Sequence, residues 1–313
     1  MIDFSSLQKK NKAYAGANGN KISVMYQDEQ YMLKFPPPPT KNKDISYTNS
    51  CISEYLGCKI FESVGIPVQE TLLGTYTVRG KEKVVVACKD FTSFAVVLQD
   101  FASLKNQMID SERNGYGTEL EDILLTIEDQ TAVDRTELSH RFWDMFIVDA
   151  LIGNWDRHNG NWGFLYNVLR DTMTLAPVYD CGSSLFPQAD QQMMEKILGS
   201  RSEINLRIFE IPTSAIKCDG KRINYFRFIS SLGNDDCNAA LKRIVPRIDM
   251  AKMNEIIDQT PAISDLQKTF YKTMLQARKE RILDYSLEQL MQREATQSYF
   301  ASESEIEIDC EPE

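Results

Sequence analysis

The chain has 313 residues, 42% hydrophobic and 26% charged, ordinary proportions for a globular protein with room for one large domain or two lobes. Asp and Glu outnumber Lys and Arg by 45 to 35, for a formal net charge of −10, a balance that argues against nonspecific nucleic-acid binding, which needs a concentrated positive field, while leaving room for a local basic patch. No apolar run reaches the roughly 18 residues of a membrane helix. The start, MIDFSSLQKKNK, holds no stretch of signal-peptide type. Seven scattered cysteines with no C-x-x-C pair point to reduced thiols in a cytoplasmic protein rather than a disulfide framework or zinc site.

Residues 20–35 read as a hairpin around the polar turn Gln27-Asp28-Glu29-Gln30, closed off by the prolines from Pro36 to Pro39. Ile52, Leu56, Ile60 and Val64 recur at helical spacing over 50–64, with Gly65 placed to cap the helix and Pro67 beyond it. VQETLLGTYTV and KVVVACKDF read as two more strands around a turn at Gly80. The first 95 residues are thus expected to form a small sheet with one helix. Residues 98–152 and 190–290 are mostly helical in pattern, and LSHRFWDMFIVDALIG is an apolar helix stopping at Gly153. Between them, 153–188 is rich in Asn, Asp, Gly and Pro, and the end, ASESEIEIDCEPE, is acidic and expected to be disordered. A β-rich front before a helical back, with the least ordinary residues at their junction, predicts a two-lobed α+β enzyme.

Those residues are GNWDRHNGNWGF, 153–164, where one of only two histidines sits among polar groups beside two tryptophans. Asp156 and Asn161 stand in D-x-x-x-x-N spacing after a buried helix, and Asp180-Cys181-Gly182 follows a short apolar strand. Phosphoryl transfer needs that set: one carboxylate to orient the attacking hydroxyl and accept its proton, and an amide oxygen with a second carboxylate to hold Mg²⁺ against phosphates. The front half supplies complements. AGANGNK, with Gly16, Ala17, Asn18, Gly19, Asn20 and Lys21, is a turn whose backbone amides would approach phosphates. Lys34 ends the next strand, and Glu54 on the following helix would pair with it. Singly, each is an ordinary turn, strand end or surface charge. In order, and on those element types, they read as a kinase.

The stretches AGANGNKIS, YMLKFPPPP, SEYLGCKIFESVGIPVQETLLGTY, VVACKDFTS, FWDMF, GNWDRHNGNWGF, APVYDCGSSLFPQAD and RIDM resemble HipA-like serine/threonine kinases, with the likeness running from about residue 14 to about residue 285. The resemblance implies a two-lobed fold related to protein kinases and phosphoinositide kinases: an N-lobe over 1–95, a helical C-lobe over 96–290 and an acidic tail over 291–313. It implies ATP and Mg²⁺ as cofactors, Asp156 as the catalytic aspartate, Asn161 and Asp180 as metal ligands, and Lys34 as the ATP lysine. Cys88, Lys89, Asp90 and Phe91 match the hinge whose backbone meets adenine. His158 matches the loop histidine, which we expect to buttress the loop.

The resemblance further implies a protein substrate, either an aminoacyl-tRNA synthetase for a toxin or a host protein for an exported effector, autophosphorylation, and a small HipB-like antitoxin. Two departures matter. Ala13, followed by Tyr14, stands where the family autophosphorylates a serine, so regulation at that position is not expected. The end, EIEIDCEPE, replaces the basic segment of a compact family member, and the chain lacks room for the extra N-terminal subdomain of longer members. Two alternatives stay open. D-R-H-x-x-N with D-x-G also describes phosphoinositide kinases, though no basic amphipathic segment for anionic membranes is present. A repressor partner with vestigial catalysis is the other; the intact set Lys34, Asp156, Asn161 and Asp180 speaks against it, and the acidic charge speaks against direct DNA contact.

Overall fold

The computed structural model describes residues 1–14, 21–38, 47–108 and 112–308, except for the side chains of 112, 113 and 300–308. The front half forms a six-stranded sheet of β1 (Ile2–Asp3), β2 (Lys9–Lys10), β3 (Lys21–Tyr26), β4 (Glu29–Lys34), β5 (Thr71–Val78) and β6 (Lys81–Lys89), in the order β1-β5-β6-β4-β3-β2. The β3–β4 turn is tighter than the sequence predicts. Only Gln27 and Asp28 make it, at φ 50° and 63°, because two positive-φ residues match the twist of the flanking strands. Glu29 and Gln30 instead pair with Tyr26 and Met25. Helix α1 (Ser50–Ser63) buries Ile52, Leu56 and Ile60, as their spacing predicts. Strand β6 shows the period of two at work: Val85 and Ala87 join a small cluster with Phe4, Val24 and Leu33, whereas Val86 and Cys88 face the main core with α1.

The remainder holds β7 (Val96–Asp100), α2 (Phe101–Met108), α3 (Leu120–Asp129), α4 (Arg135–Ile152), β8 (Gly163–Asn167), β9 (Thr172–Leu175), α5 (Gln191–Leu198), α6 (Arg201–Phe209), β10 (Lys217–Cys218), β11 (Lys221–Arg222), α7 (Tyr225–Ser230), α8 (Asp235–Ile244), α9 (Met250–Gln259), α10 (Asp265–Arg278) and α11 (Tyr285–Ile308). Helix α4 is its axis. Asp134 caps its start by accepting from Glu137 N–H at 2.8 Å, its last turns are buried throughout, and Gly153 ends it in the left-handed region at φ 64°. The buried Arg278 guanidinium donates from Nε to the Ala150 carbonyl at 2.8 Å, satisfying one of the carbonyls that the helix end leaves open.

Three expectations are corrected. Residues 96–100 are a strand rather than the start of a helical block, because they pair with β8 more than sixty residues on, a partner that local periodicity cannot register. Residues 217–222 interrupt the second helical block with a hairpin turning on Asp219-Gly220 at φ 52° and 74°, an Asp-Gly signal of the usual kind. The tail expected to be disordered from residue 291 is helical to Ile308. Lys242 pairs with Glu294 at 2.8 Å and Arg293 donates to the Leu232 carbonyl at 2.8 Å, holding the start of that stretch to the body, and its Gln, Glu and Ala content favours helix. Among the described residues six cysteines are free thiols, no helix is long and apolar enough to cross a membrane, and no group of three or more acids, histidines or cysteines is placed to hold a metal.

Candidate active site

Below Gly153 the chain runs as an extended loop whose residues divide between two faces. Asn154, Arg157 and Asn159 point inward and are almost fully buried. Asn154 donates from its amide to Asp149 Oδ1 at 3.0 Å and accepts the Asp156 N–H at 3.1 Å. Arg157 grips both Asp149 oxygens, Nε at 2.9 Å and Nη2 at 3.2 Å, while Nη1 donates to the carbonyls of Asn161, at 2.9 Å, and Tyr179. Burial opposes its charge, yet Asp149 holds the guanidinium well above the ordinary arginine range. Asn159 donates to the carbonyls of Gly115 at 3.0 Å and Gly117 at 2.7 Å.

Asp156, His158 and Asn161 are the half-buried residues of the other face. Burial pushes the Asp156 carboxyl up and the Asp180 charge adds to the rise; Arg222 and Arg157 act against it. Asn161 donates from Nδ2 to the Asp156 carbonyl at 2.9 Å, which fixes its amide so that, among the described residues, Oδ1 is left without a partner. His158 Nδ1 accepts the Gly160 N–H at 3.0 Å. That bond bends the loop between Asp156 and Asn161.

Asp180 comes to the same place from the strand side, just after Val178 bridges Val68. Its Oδ1 accepts from Lys34 Nζ at 3.0 Å, and Lys34 donates also to Glu54 Oε2 at 2.8 Å. The other Glu54 oxygen accepts the Cys181 N–H at 3.1 Å. Glu54 thereby ties the strand lysine, its own helix and the D-x-G segment together. A Cβ on Gly182 would stand 3.0 Å from Glu54 Oε2, and one on Gly57 would stand 2.6 Å from the Cys181 Cβ; both glycines permit α1 to lie this close. Burial disfavours the Lys34 charge, but Asp180 and then Glu54 carry it well above the ordinary lysine range. Burial likewise opposes the Asp180 charge, and Lys34 overcomes it, holding that carboxyl below its usual value.

Lys21 lies directly across from Lys34 in the sheet. Burial, and then the Lys34 charge, lower its amine. Gly16, Ala17, Asn18, Gly19 and Asn20 lie outside the described residues. In the segment expected to be the hinge, Lys89 is occupied by the protein itself: its N–H donates to the Glu70 carbonyl and its carbonyl accepts from Gln69, both at 2.9 Å. The Asp90 N–H donates to the Gln30 carbonyl at 2.8 Å. Among the described residues the Asp90 carbonyl and the Phe91 N–H have no partner. The Cys88 side chain is buried in the main core. The Asp90 carboxylate gathers Lys12 at 2.6 Å, Tyr14 at 2.7 Å and Gln30 at 3.1 Å, fixing the segment that leads into residue 15.

Residues 10–265 match the HipA-like C-terminal domain family. The chain belongs to that family. It is 50% identical, over 285 residues, to the serine/threonine-protein kinase CtkA of Helicobacter pylori, covering 90% of this chain and 86% of the relative. The crystal structure of the Helicobacter pylori proinflammatory kinase CtkA matches with a TM-score of 0.87 at 49% identity, over 93% of this chain and 98% of that one. A HipA of Shewanella oneidensis MR-1, solved with HipB and operator DNA, matches with a TM-score of 0.53 at 16% identity, over 89% of this chain and 68% of its own, a likeness of fold. The chain is a HipA-like serine/threonine kinase with a kinase-like α+β fold.

In this HipA-like kinase the residues that sequence reasoning passed over are those of the inward face. Asp149, a lone acid in the apolar run FIVDALIG, was the available signal, since a buried carboxylate requires a partner. Arg222, which donates to the Trp155 carbonyl next to Asp156, carried no local signal, because a hairpin 67 residues on brings it there.

Proposed function

We propose that the chain transfers the γ-phosphoryl group of ATP to a serine or threonine hydroxyl of a protein, with Asp156 as the group that takes the hydroxyl proton. The observation that carries this reading is the continuous set of contacts from Lys34 through Glu54 and Asp180 to the Arg157-anchored loop that presents Asp156 and Asn161. Lys34, held charged by Asp180 and Glu54, would meet the nucleotide phosphates. The Asp90 carbonyl and Phe91 N–H would receive the adenine edge. Asp156 orients the acceptor oxygen for attack on the γ-phosphorus; the proton passes to its carboxylate as ADP leaves. His158 holds the loop's shape rather than moving the proton. The lobe boundary is placed at residue 95, between β6 and β7.

Asn161 and Asp180 fit a divalent ion of the magnesium type. Both are hard oxygen donors, Asn161 Oδ1 is the atom its hydrogen bonding leaves open, and two protein oxygens with the remainder from phosphates and water is the usual magnesium arrangement. When bound, the ion would neutralise charge on the β- and γ-phosphates. Autophosphorylation and a small HipB-like partner are proposed on the family resemblance; the net charge of −10 speaks against direct DNA contact by this chain.

The test is intact-mass spectrometry of the purified protein with Mg–ATP, alone and with a cell lysate, beside Asp156→Asn. Mass gains in phosphate steps on the protein or on lysate proteins, absent with the variant, are expected. No gain anywhere would overturn the protein-kinase reading.

A further inference from the structure

The β10–β11 hairpin sets two like charges face to face. Lys217 and Arg222 are directly opposed in its register, an arrangement that destabilises an antiparallel pair. Among the described residues neither they nor Lys221 has a carboxylate within ion-pair distance. The nearby Glu119 spends its Oε2 on the Gly220 N–H at 3.3 Å, at the far end of the turn. A chain with ten more acidic than basic residues thus keeps these cations out of salt bridges among the described residues, although Glu119 bridges Lys217 in the backbone register and the Arg222 charge acts on Asp156, and it does so beside the catalytic loop.

Arg222 is exposed yet held. Its Nε donates to the Ser214 carbonyl at 2.8 Å and its Nη2 to the Trp155 carbonyl. Its guanidinium lies 5.9 Å from the centre of the Trp155 ring, and that ring stacks on Tyr47 at 5.6 Å and 21°. The fork is therefore oriented before any ligand arrives, with Nη1 left to donate among the described residues, and a guanidinium so fixed suits a carboxylate. Arg222 bonds the carbonyl of the residue preceding Asp156, whereas the phosphates are read to lie at Asn161, Asp180 and Lys34.

We propose that Arg222, with Lys217 opposite it, is a specificity element that takes an acidic side chain of the protein substrate close to the hydroxyl presented to Asp156. This rests on the reading of Asp156 as the acceptor-side group. The substrate class that follows is a serine or threonine flanked by aspartate or glutamate.

A peptide library with one fixed serine and randomised flanks, phosphorylated with Mg–ATP by the full chain, by Arg222→Glu and by Arg222→Gln, tests it. Affinity for a non-hydrolysable ATP analogue, measured alongside, reports that each variant is folded. The native chain is expected to favour Asp or Glu at one flanking position by about tenfold, the scale of a close charge pair between partners. Arg222→Gln should flatten that preference, and Arg222→Glu should turn it toward Lys or Arg at the same position. Transfer by the native chain without an acidic preference, or a preference unchanged in both variants, overturns the proposal while leaving the kinase reading intact. A native chain that phosphorylates no peptide and no lysate protein overturns both.

Discussion

The two faces of the 154–161 loop are built of similar polar residues and used in opposite ways. On the inward face Asn154, Arg157 and Asn159 spend nearly every polar atom on Asp149 or on backbone, the exception being Asn159 Oδ1. Leaving such groups unpaired would cost about 1–3 kcal/mol each, so their bonds are conditions of folding. On the outward face Asp156, His158 and Asn161 make few bonds, and those they make leave the Asp156 carboxylate and the Asn161 oxygen open among the described residues. Glu54 and Asp180 repeat the contrast. Glu54 is 1% exposed with both oxygens used, while the Asp180 side chain is 41% exposed with one oxygen committed to Lys34. Groups read as reactive are positioned by neighbours whose polar atoms, Asn159 Oδ1 apart, are satisfied within the fold and need never touch substrate.

Substitutions on the two faces should separate rate from stability. The largest effect is expected from Asp156→Asn, which keeps the shape and removes the proton acceptor: single-turnover transfer should fall by about 10²–10⁴ with ATP-analogue affinity and melting temperature unchanged. Transfer at the native rate would break the assignment of the outward face. Arg157→Leu should act in the opposite sense, costing about 3–5 kcal/mol in denaturant unfolding because Asp149 is left charged and buried. Adding Asp149→Leu should recover part of that loss, since an apolar pair leaves no charge stranded; additive losses would show that the two side chains are not a unit. Glu54→Gln is intermediate. It keeps an acceptor for Cys181 but loses the charge facing Lys34, so kcat/KM for ATP should drop by about ten- to a hundredfold, the worth of a charge-assisted bond.

The candidates Asp156, Asn161, Asp180 and Lys34 could be picked out in the sequence because they were read by spacing: Asp156 and Asn161 on one loop, Asp180 before a glycine, Lys34 ending a strand. The α1 periodicity and the stop at Gly153 were legible for the same reason, being local. The inward face was not. Asp149 lies in an apolar helix and Asn159 finds its acceptors more than forty residues earlier, so only the folded chain shows what they satisfy. Strand β7 failed likewise, since its partner is far along the chain, whereas the β10–β11 hairpin announced itself through Asp219-Gly220 and was overlooked within a helical block.

Smaller effects test the boundary between the faces. His158→Ala removes one acceptor, for the Gly160 N–H, and should cost about 1 kcal/mol of stability with a correspondingly modest loss of rate; a loss as large as that of Asp156→Asn would make His158 a participant in proton transfer. Asp90 sharpens the point through pH. Burial works against its charge, but Lys12, Thr92 and Tyr14 hold the carboxyl below its ordinary value. The folded chain therefore releases this proton more readily than the unfolded one. Asp90 stabilises fully above the unfolded carboxylate pKa of about 3.9, and that contribution is lost as pH falls through the lower folded value. The stability difference between the native chain and Asp90→Asn should be constant near neutrality and shrink below about pH 4. A difference that persisted unchanged into acid would mean that Asp90 serves through shape alone, and that the charge of Lys12 does not hold the segment before residue 15 against the hinge.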